Sequence, residues 1–587
     1  MGVMSARPGP AVRFGPFELD LRSGELKRQG RRVRLQDQPL LVLQALLERP
    51  GELVTREDLH RRLWADGTFV DFEDGLNTAV MRLREALGDG ARRPRYVETR
   101  PRRGYRFIGA LEQLPASRVI ASIRSVAVLP LENLSTDPDE EIFADAMTDE
   151  LITSLAKTSS LRVISRASVM PFKRSRSPLP EIGRALGVDA VVEGTVIRWG
   201  HRVRVTAQLI EAAADRHLWA DSYEGELRDI LTLQRDVAVA IAGEISANLS
   251  ARRRAGGAEA PPPVNPDAYL AYIKGRAFWD QRHEAALLKA VAAFGQAVEI
   301  DSRYAAAYAG LADCYTALGY GSYLAPRAAF EHAAAAANRA LAIDPALAGA
   351  EAPLAYVALY YQWDADEADR RFRRALALDP ASVTAQHWYS VYLTAMGRFD
   401  DAREAIGRAL ALDPLSHAVN TDVGFVAYYA GRYEDAIASF RAVLSVAPHF
   451  PQAHLWLGRT YQEQGRLDAA VEAFAETCRI VGDWPVAVAA MGHVLGMANR
   501  LSEARQVLAQ LEQLSRRRYV TEYGVALVHA GLGDHDGAFD WLERAVAARS
   551  HWLVWLGLDP RWHRLRSDPR FAPLLGRIGL TGHDARC

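Results

Sequence analysis

Residues 76–107 read LNTAVMRLREALGDGARRPRYVETRPRRGYRF, and this stretch decides the fold of the first part of the chain. Its first half predicts a helix, because Leu76, Val80, Leu83 and Leu87 recur at helical spacing and form one apolar stripe. Its second half alternates polar and apolar residues around a turn at 101–104, which predicts a β-hairpin with an arginine-rich tip.

The polar face of this helix and the hairpin form a candidate DNA-binding surface. Between residues 91 and 106 there are seven arginines and one acid, an excess of positive charge that suits phosphate binding, although on charge alone a solvated charge run is equally compatible. Arginine can bond a guanine edge at two points, while Asn or Thr can contact adenine or a thymine methyl. The candidate contact residues are Asn77, Thr78, Met81, Arg82, Arg84, Thr99, Arg100, Arg102 and Arg103.

The preceding residues complete a small α+β domain. Residues 12–35 alternate with glycine breaks and predict an antiparallel sheet of three or four strands. Residues 38–51 predict a helix with inward leucines, and VTREDLHRRLW (54–64) predicts a second helix that Thr55 caps and Trp64 packs into the core. Two helices, an exposed basic helix and a basic hairpin follow the winged helix-turn-helix plan over residues 12–109.

This region resembles the effector domain of OmpR/PhoB-type response regulators, in the variant typical of CadC/ToxR-like one-component proteins. LVTREDLHRRLW, RLREALG and RRGYRF carry the resemblance. It implies that the third helix is the recognition helix, with Thr78, Arg82 and Arg84 at DNA-contacting positions and Thr99, Arg102 and Arg103 in the wing. It also implies that the loop 64–75 can touch RNA polymerase and that such proteins bind DNA as head-to-tail dimers.

Two departures from that family set expectations about control. The domain begins near Val12, which leaves no room for a preceding receiver domain, so we expect no control through phosphorylation of a receiver aspartate. No window of about 18 consecutive apolar residues occurs, so we expect no membrane helix, no membrane partner and a cytoplasmic protein.

Residues 124–250 predict an α/β domain that resembles the TolB N-terminal-like domain, a binding or coupling module without established chemistry. VAVLPLENLS (126–135) and VVEGTV (191–196) carry this resemblance. Asp145, Asp149 and Glu150 have a spacing that could suggest a metal site, but no histidine converges on them, so a solvated helix face is the favoured interpretation.

A Pro/Gly-rich linker (251–266) leads to a helical region, 267–580, with a 34-residue period. Gly397, Gly431, Gly465 and Gly533 lie on this grid with Asn499 at the remaining node, and an alanine follows each node by five residues. The region resembles the tetratricopeptide repeat and predicts about eight helical pairs in an all-α superhelix. We expect a concave face that binds a protein or peptide, and a C-terminal capping helix in 558–580.

No enzymatic chemistry is expected. Phosphate-loop, dinucleotide-binding, zinc-protease and serine-nucleophile motifs are absent, and Cys314, Cys478 and Cys587 lie far apart. The sequence therefore predicts no catalytic residues, no metal and no cofactor. The favoured function is a sequence-specific transcriptional regulator that binds double-stranded DNA. The alternative is a protein-interaction scaffold with a repurposed winged helix, which Met81 favours and the exposed arginines oppose.

Overall fold

The computed structural model describes residues 11–20, 26–28, 31–33, 35, 37–63, 72–90, 94–101, 103–113, 123–135, 140–158, 161–175, 177–246 and 264–579. The chain divides into two compact units. One comprises Met1–Ile123 with Glu244–Arg254, and the other comprises Arg124–Gly243 with Ala255–Cys587.

The N-terminal unit opens with an antiparallel sheet. Its strands are β1 (Ala11–Phe14), β2 (Phe17–Asp20), β3 (Leu26–Arg28), β4 (Arg31–Val33) and β8 (Leu111–Gln113). They lie in the order β4-β3-β2-β1-β8, so β8 pairs with the free edge of β1. The sheet of this domain thus continues past residue 109, the predicted end of the domain. Three residues are too few to show an alternating pattern, and the pairing edge lies about a hundred residues earlier in the chain.

Three helices pack on this sheet: α1 (Asp37–Glu48), α2 (Arg56–Leu63) and α3 (Phe72–Leu87). The backbone N–H of Asp58 donates to Thr55 Oγ1 over 3.1 Å, so Thr55 caps α2 as predicted. Helix α3 begins four residues before the predicted Leu76. Leu76, Val80, Leu83 and Leu87 are all at most 3% exposed, which confirms the predicted core stripe.

A second sheet forms the wing. It contains β5 (Leu53–Thr55), β6 (Val97–Arg100) and β7 (Gly104–Phe107) in the order β5-β7-β6. Gly104 has φ +149°, and a Cβ there would lie 2.1 Å from the Val54 carbonyl oxygen. Only glycine lets β5 and β7 approach this closely.

The second unit begins with a mixed sheet and its helices. The elements are β9 (Ser125–Val128), β10 (Glu132–Asn133), α4 (Glu140–Thr158), β11 (Arg162–Val163), α5 (Arg166–Val169), α6 (Leu179–Leu186), β12 (Ala190–Trp199), β13 (Arg202–Glu211), β14 (Arg216–Glu226) and α7 (Ile230–Ser246). Strands run in the order β11-β9-β12-β13-β14, parallel up to β12 and antiparallel from there. Every residue of β9 is buried, as expected for a central strand covered on both faces.

Residues 264–579 contain the predicted helical array of eight pairs. The pairs are α8 (Pro266–Trp279) and α9 (Glu284–Ile300), α10 (Ala305–Tyr320) and α11 (Pro326–Ile343), α12 (Ala348–Val357) and α13 (Ala365–Leu378), α14 (Val383–Ala395) and α15 (Phe399–Leu412), α16 (His417–Tyr429) and α17 (Tyr433–Val446), α18 (Pro451–Glu463) and α19 (Leu467–Val481), α20 (Pro485–Met497) and α21 (Leu501–Ser515), and α22 (Glu522–Gly531) and α23 (His535–Ala547). Helix α24 (Phe571–Ile578) follows the last pair.

The turns inside the later pairs explain the 34-residue grid. The four grid glycines and Asn499 all have φ between 59° and 75°, the left-handed conformation that favours glycine and tolerates asparagine. Trp363 lies one 34-residue period before Gly397 and has the same left-handed conformation. The sequence did not indicate this turn, because a tryptophan rarely adopts that conformation. The alanine five residues after each grid node is fully buried, because neighbouring helices approach closely there.

Part of the chain itself packs on the inner face of the array, where a protein or peptide ligand was expected. Residues 549–566, the return segment, pack against the first helices of several pairs. Trp555 stacks on Tyr429 with ring centroids 4.6 Å apart, and Trp552 Nε1 donates to Ser322 Oγ over 3.1 Å. The return segment therefore takes the place that we expected a separate protein or peptide to fill. The partners of these aromatic residues lie more than a hundred residues away in sequence, which no local pattern reveals.

The two ends of the array also meet. Trp484 Nε1 donates to the Gly321 carbonyl oxygen over 2.9 Å, and Arg518 forms an ion pair with Glu284 at 2.9 Å. Contacts between early and late repeats close the superhelix around the return segment.

Helix α4 of the sheet domain packs on α8 of the array through the acidic residues considered above as a metal site. Asp149 forms an ion pair with Arg276 at 3.2 Å, and the Tyr272 hydroxyl donates to Glu150 over 3.5 Å. Burial raises the pKa of Glu150. Asp145 pairs with Lys173. Asp149 and Glu150 thus form a contact between the sheet domain and the array, and Asp145 pairs inside the sheet domain, so the favoured interpretation of a solvated face is wrong.

Candidate nucleic-acid interface

The exposed face of α3 carries most of the predicted contact residues. Asn77, Thr78, Met81 and Arg82 are exposed, and Met81 keeps 59% of its surface accessible. They lie opposite the buried leucine stripe, so the same helical period that builds the core presents them to solvent. Glu85, an acid outside the predicted set of contact residues, is exposed on this face as well.

Asn77 is held by residues from two other elements. Its Oδ1 atom accepts a hydrogen bond from Arg56 Nη2 and another from the Tyr105 hydroxyl, both over 3.1 Å. The Arg56 guanidinium also lies over the Tyr105 ring, 5.6 Å from its centroid. Since both bonds end on the oxygen, the Nδ2 amide group of Asn77 is the part oriented to donate to a ligand. Arg56 is a site residue that the sequence interpretation missed.

Arg84 connects the recognition helix to the wing. Its Nη2 donates to the Val97 carbonyl oxygen and to Thr99 Oγ1, both over 2.8 Å. The side chain is half-buried, and Nε is buried without a hydrogen-bond partner among the described residues. The structure thus brings together two predicted contact residues, Arg84 and Thr99, by bonding them to each other.

The wing arginines differ in whether an acidic side chain lies beside them. Glu98 accepts from Arg106 at 2.6 Å and lies 3.3 Å from Arg100, so these two arginines are partly neutralised. Arg103 is exposed at the turn. Arg102 and the loop 64–71, with Trp64, lie outside the described residues; residues 72–75 of the predicted polymerase-contact segment form the start of α3.

Asp89 fixes the wing from its base. One carboxylate oxygen accepts from the backbone N–H of Arg95 at 2.6 Å, and the other accepts from Tyr96 at 3.2 Å and Val97 at 2.8 Å. Asp89 is only 8% exposed. Asp89 lies two residues after the end of α3, in an Asp-Gly pair that is typical of a turn. The three backbone donors that it accepts from could be assigned only from the structure.

The described residues of this surface can bind an anion by charge and hydrogen bonding. Among the parts of the chain that the structure describes, no group of three or more histidine, cysteine, aspartate or glutamate side chains could hold a metal ion. The arrangement supplies a helix of groove-fitting size beside a hairpin with exposed arginines, which is the geometry that reads base edges and grips phosphates together.

Comparison with known families agrees with this geometry. Residues 30–107 match the family described as "Transcriptional regulatory protein, C terminal". The N-terminal domain is a winged helix of the OmpR/PhoB type. Residues 357–417 and 426–485 match the tetratricopeptide repeat, which confirms the predicted identity of the array. Neither family is a family of enzymes.

Three curated relatives show how far the similarity extends. A putative adenylate cyclase of Rhizobium meliloti is 32% identical over 45% of this chain and 43% of its own length. The cholera toxin homolog transcriptional activator of Vibrio parahaemolyticus is 35% identical over 24% of this chain and 46% of its own. The transcriptional regulator HilA of Salmonella typhimurium is 23% identical over 66% and 68%. The chain spans less than half the length of the first two.

The described helices include no candidate for a membrane-spanning segment. None of them combines the length and the apolar character that a bilayer-spanning helix needs.

Proposed function

We propose that this protein is a sequence-specific DNA-binding transcriptional regulator. The exposed face of α3, flanked by the arginine wing in a winged helix of a transcriptional-regulator family, carries the proposal. Relatives named as a transcriptional activator and as a transcriptional regulator support it. A regulator of this kind works where the chromosome is, which places the chain in the cytoplasm.

Within this proposal the predicted contact residues take different roles. Arg82, Thr78 and the Nδ2 group of Asn77 face the major groove and read base edges, while Met81 contacts a thymine methyl. The wing residues Thr99, Arg100, Arg102 and Arg103 lie along phosphates or enter the adjacent minor groove.

Arg84 acts mainly by positioning. Its hydrogen bonds to Val97 O and Thr99 Oγ1 set the angle between α3 and β6, so the helix and the wing dock on DNA as one body. Its Nη1 group is left for a phosphate next to the wing.

The sheet domain (124–250) is proposed as a TolB-like coupling module between the winged helix and the array (267–580). Its contacts support this role, because Ser168 Oγ donates to Asp413 over 2.6 Å and the Ser165 N–H donates to the Leu412 carbonyl oxygen over 2.8 Å. A conformational change in the array would be transmitted to the sheet domain through such bonds.

Protein partners are proposed for the outer surface of the array, since the return segment fills its groove. Contact of the loop 64–75 with RNA polymerase and head-to-tail dimerisation on DNA belong to the same proposal, by resemblance to OmpR/PhoB-type proteins. The scaffold alternative is not favoured, because a protein-binding derivative would expose apolar residues where this face carries Arg82 and its neighbours.

The decisive test selects double-stranded DNA from a random library with the full-length chain and measures the affinity of the selected site by fluorescence anisotropy. We expect tight binding whose affinity falls steeply with salt, since several phosphates are neutralised. Absence of binding at low salt, or equal affinity for the selected and scrambled sequences, would contradict the proposal.

A matched pair of variants separates base reading from general charge. Arg82→Ala should cost about 1 to 3 kcal/mol on the selected site and much less on scrambled DNA. Lys27→Ala removes one exposed positive charge from β3 in the same domain and should change affinity little. Equal losses for the two variants, or an equal loss of Arg82→Ala on all sequences, would remove Arg82 from base recognition.

A further inference from the structure

The side-chain amide of Asn77 is held in one orientation. Its Oδ1 atom accepts from Arg56 Nη2 and from the Tyr105 hydroxyl, each over 3.1 Å. Arg56 Nη2 also donates to the Tyr105 hydroxyl oxygen over 3.4 Å, so the three side chains form a closed triangle of hydrogen bonds, the Asn77 triad. A guanidinium can only donate, so the amide oxygen, and not the amide nitrogen, must face Arg56. The triad therefore turns Nδ2 towards the exposed side.

Two paired strands hold the donors of the triad. Tyr105 lies in β7, where it is 3% exposed, and Arg56 follows β5 directly as the first residue of α2. Strands β5 and β7 pair with Val54 opposite Tyr105. Strand pairing thus sets the distance between the two donors independently of α3, and Asn77 meets them from the exposed face of that helix.

The triad uses the full acceptor capacity of the Asn77 oxygen. An amide oxygen has two lone pairs, and Arg56 and Tyr105 take one each. The bond from the charged guanidinium is about twice as strong as a neutral hydrogen bond, so a base that competed for this oxygen would replace a stronger bond by a weaker one. What remains for a ligand is the Nδ2 group, which donates and cannot accept.

A donor without an acceptor cannot make the contact that asparagine commonly makes with DNA. Bidentate pairing with adenine needs a donor for N7 and, at the same time, an acceptor for the N6 amino group. Cytosine presents its N4 amino donor in the major groove and is excluded for the same reason. Thymine offers one acceptor, O4, beside its methyl group, whereas guanine offers two neighbouring acceptors, N7 and O6. The positive charge of Arg56 beside the amide also favours the guanine edge.

We propose that Asn77 reads guanine through Nδ2 alone, and that Arg56 and Tyr105 are the positioning residues that set this preference against adenine. The inference rests on the DNA binding proposed above and adds the base that one position of the recognised sequence carries. The residue type of Asn77 by itself indicates adenine, so the two interpretations differ in a base that can be measured.

The test compares the sequences that the full-length parent chain and Asn77→Ala select from random double-stranded DNA. The position whose base preference disappears in Asn77→Ala is the one that Asn77 reads. We expect guanine there, and about tenfold weaker binding of the parent chain when this guanine is replaced by adenine, as measured by fluorescence anisotropy. Another base at that position, or no position that responds to Asn77→Ala, would overturn the inference and leave DNA binding intact. Failure to select any sequence would instead contradict the proposed function, and this inference with it.

Two variants should change the selected base in opposite ways. Asn77→Asp keeps the shape of the side chain and the oxygen in the triad but replaces the outward donor by an acceptor, so guanine should give way to cytosine, whose N4 amino group donates. The double variant Arg56→Met with Tyr105→Phe removes both donors to Oδ1, so the amide can pair with adenine and the preference should move to that base.

The control variant is Arg62→Met, which removes one exposed arginine from the same helix, α2, and should leave guanine selected. Guanine retained by Asn77→Asp or by the double variant, or lost in the control, would overturn the inference. Asn77→Asp is nearly isosteric with the parent residue, so it decides the question even if the double variant does not fold.

Discussion

Asp89→Ala should release the wing from the recognition helix without unfolding the domain. The Asp89 carboxylate accepts three consecutive backbone N–H groups, at 2.6, 3.2 and 2.8 Å. Of the three donors, the Val97 N–H is buried at the start of β6, whereas Arg95 is exposed and can be hydrated in the variant. The substitution therefore leaves one fully buried donor and two partly hydrated ones.

The magnitude follows from these environments. A buried donor left without a partner costs about 1 to 3 kcal/mol, and each donor that water can reach loses about 0.5 to 1.5 kcal/mol. The sum, about 4 kcal/mol, lowers the free energy of local opening of β6 and corresponds to roughly a thousandfold faster amide exchange. The affinity for DNA should fall too. The slope of log affinity against log salt concentration should decrease by about one for each wing arginine that loses its phosphate contact, here Arg100 and Arg103.

Hydrogen exchange of the full-length chain, read on peptides covering residues 94–113, measures the opening directly. Glu85→Ala is the matched control, because it removes the same charge from the adjacent helix without touching the wing. Asp89→Asn keeps one acceptor oxygen and should give an intermediate effect. Exchange in β6 that stays within about threefold of the parent protein would refute the view that Asp89 holds the wing.

The other expected outcomes concern turns and buried histidines. Gly104→Ala should cost about 3 kcal/mol, because the new Cβ meets the carbonyl of β5 at 2.1 Å, whereas Gly88→Ala, at φ +59° with open space around it, should cost about 1 kcal/mol; chemical denaturation distinguishes the two. Asn499→Gly should stabilise the array by about 0.5 kcal/mol, and Gly465→Ala should destabilise it by about 1 kcal/mol, because both positions have a left-handed backbone. Unfolding midpoints of the two variants that move in the same direction would contradict this role of the turns. Burial lowers the pKa of His551 to about 3 from 6.5, so the unfolded chain takes up its proton first and the contribution of this histidine is lost as the pH falls from about 6.5 towards 3. The destabilisation caused by His551→Gln should accordingly shrink by about 2 kcal/mol between pH 7.5 and pH 5, and a pH-independent difference in unfolding free energy would show that the histidine is not buried neutral.

Much of the candidate site was predictable because it rests on local periodicity. The spacing of Leu76, Val80, Leu83 and Leu87 fixes which face of α3 is buried, and so identifies Asn77 and the other exposed residues as candidates without any structure. The internal pairing of that site was not predictable. Arg84 and Thr99 have the residue types of DNA contacts, and only the distance between α3 and β6 shows that they bond each other.

The sequence by itself determined the order of the domains, the orientation of the recognition helix and the 34-residue repeat, since each is written in the spacing of neighbouring residues along one helix, strand or turn. The tertiary structure decided what the array encloses. Trp552 and Trp555 in the return segment find partners that are distant in sequence, Ser322 and Tyr429, and their packing fills the inner face of the array. Contacts of that kind depend on how the repeats curve in space, which the pattern within one repeat does not specify.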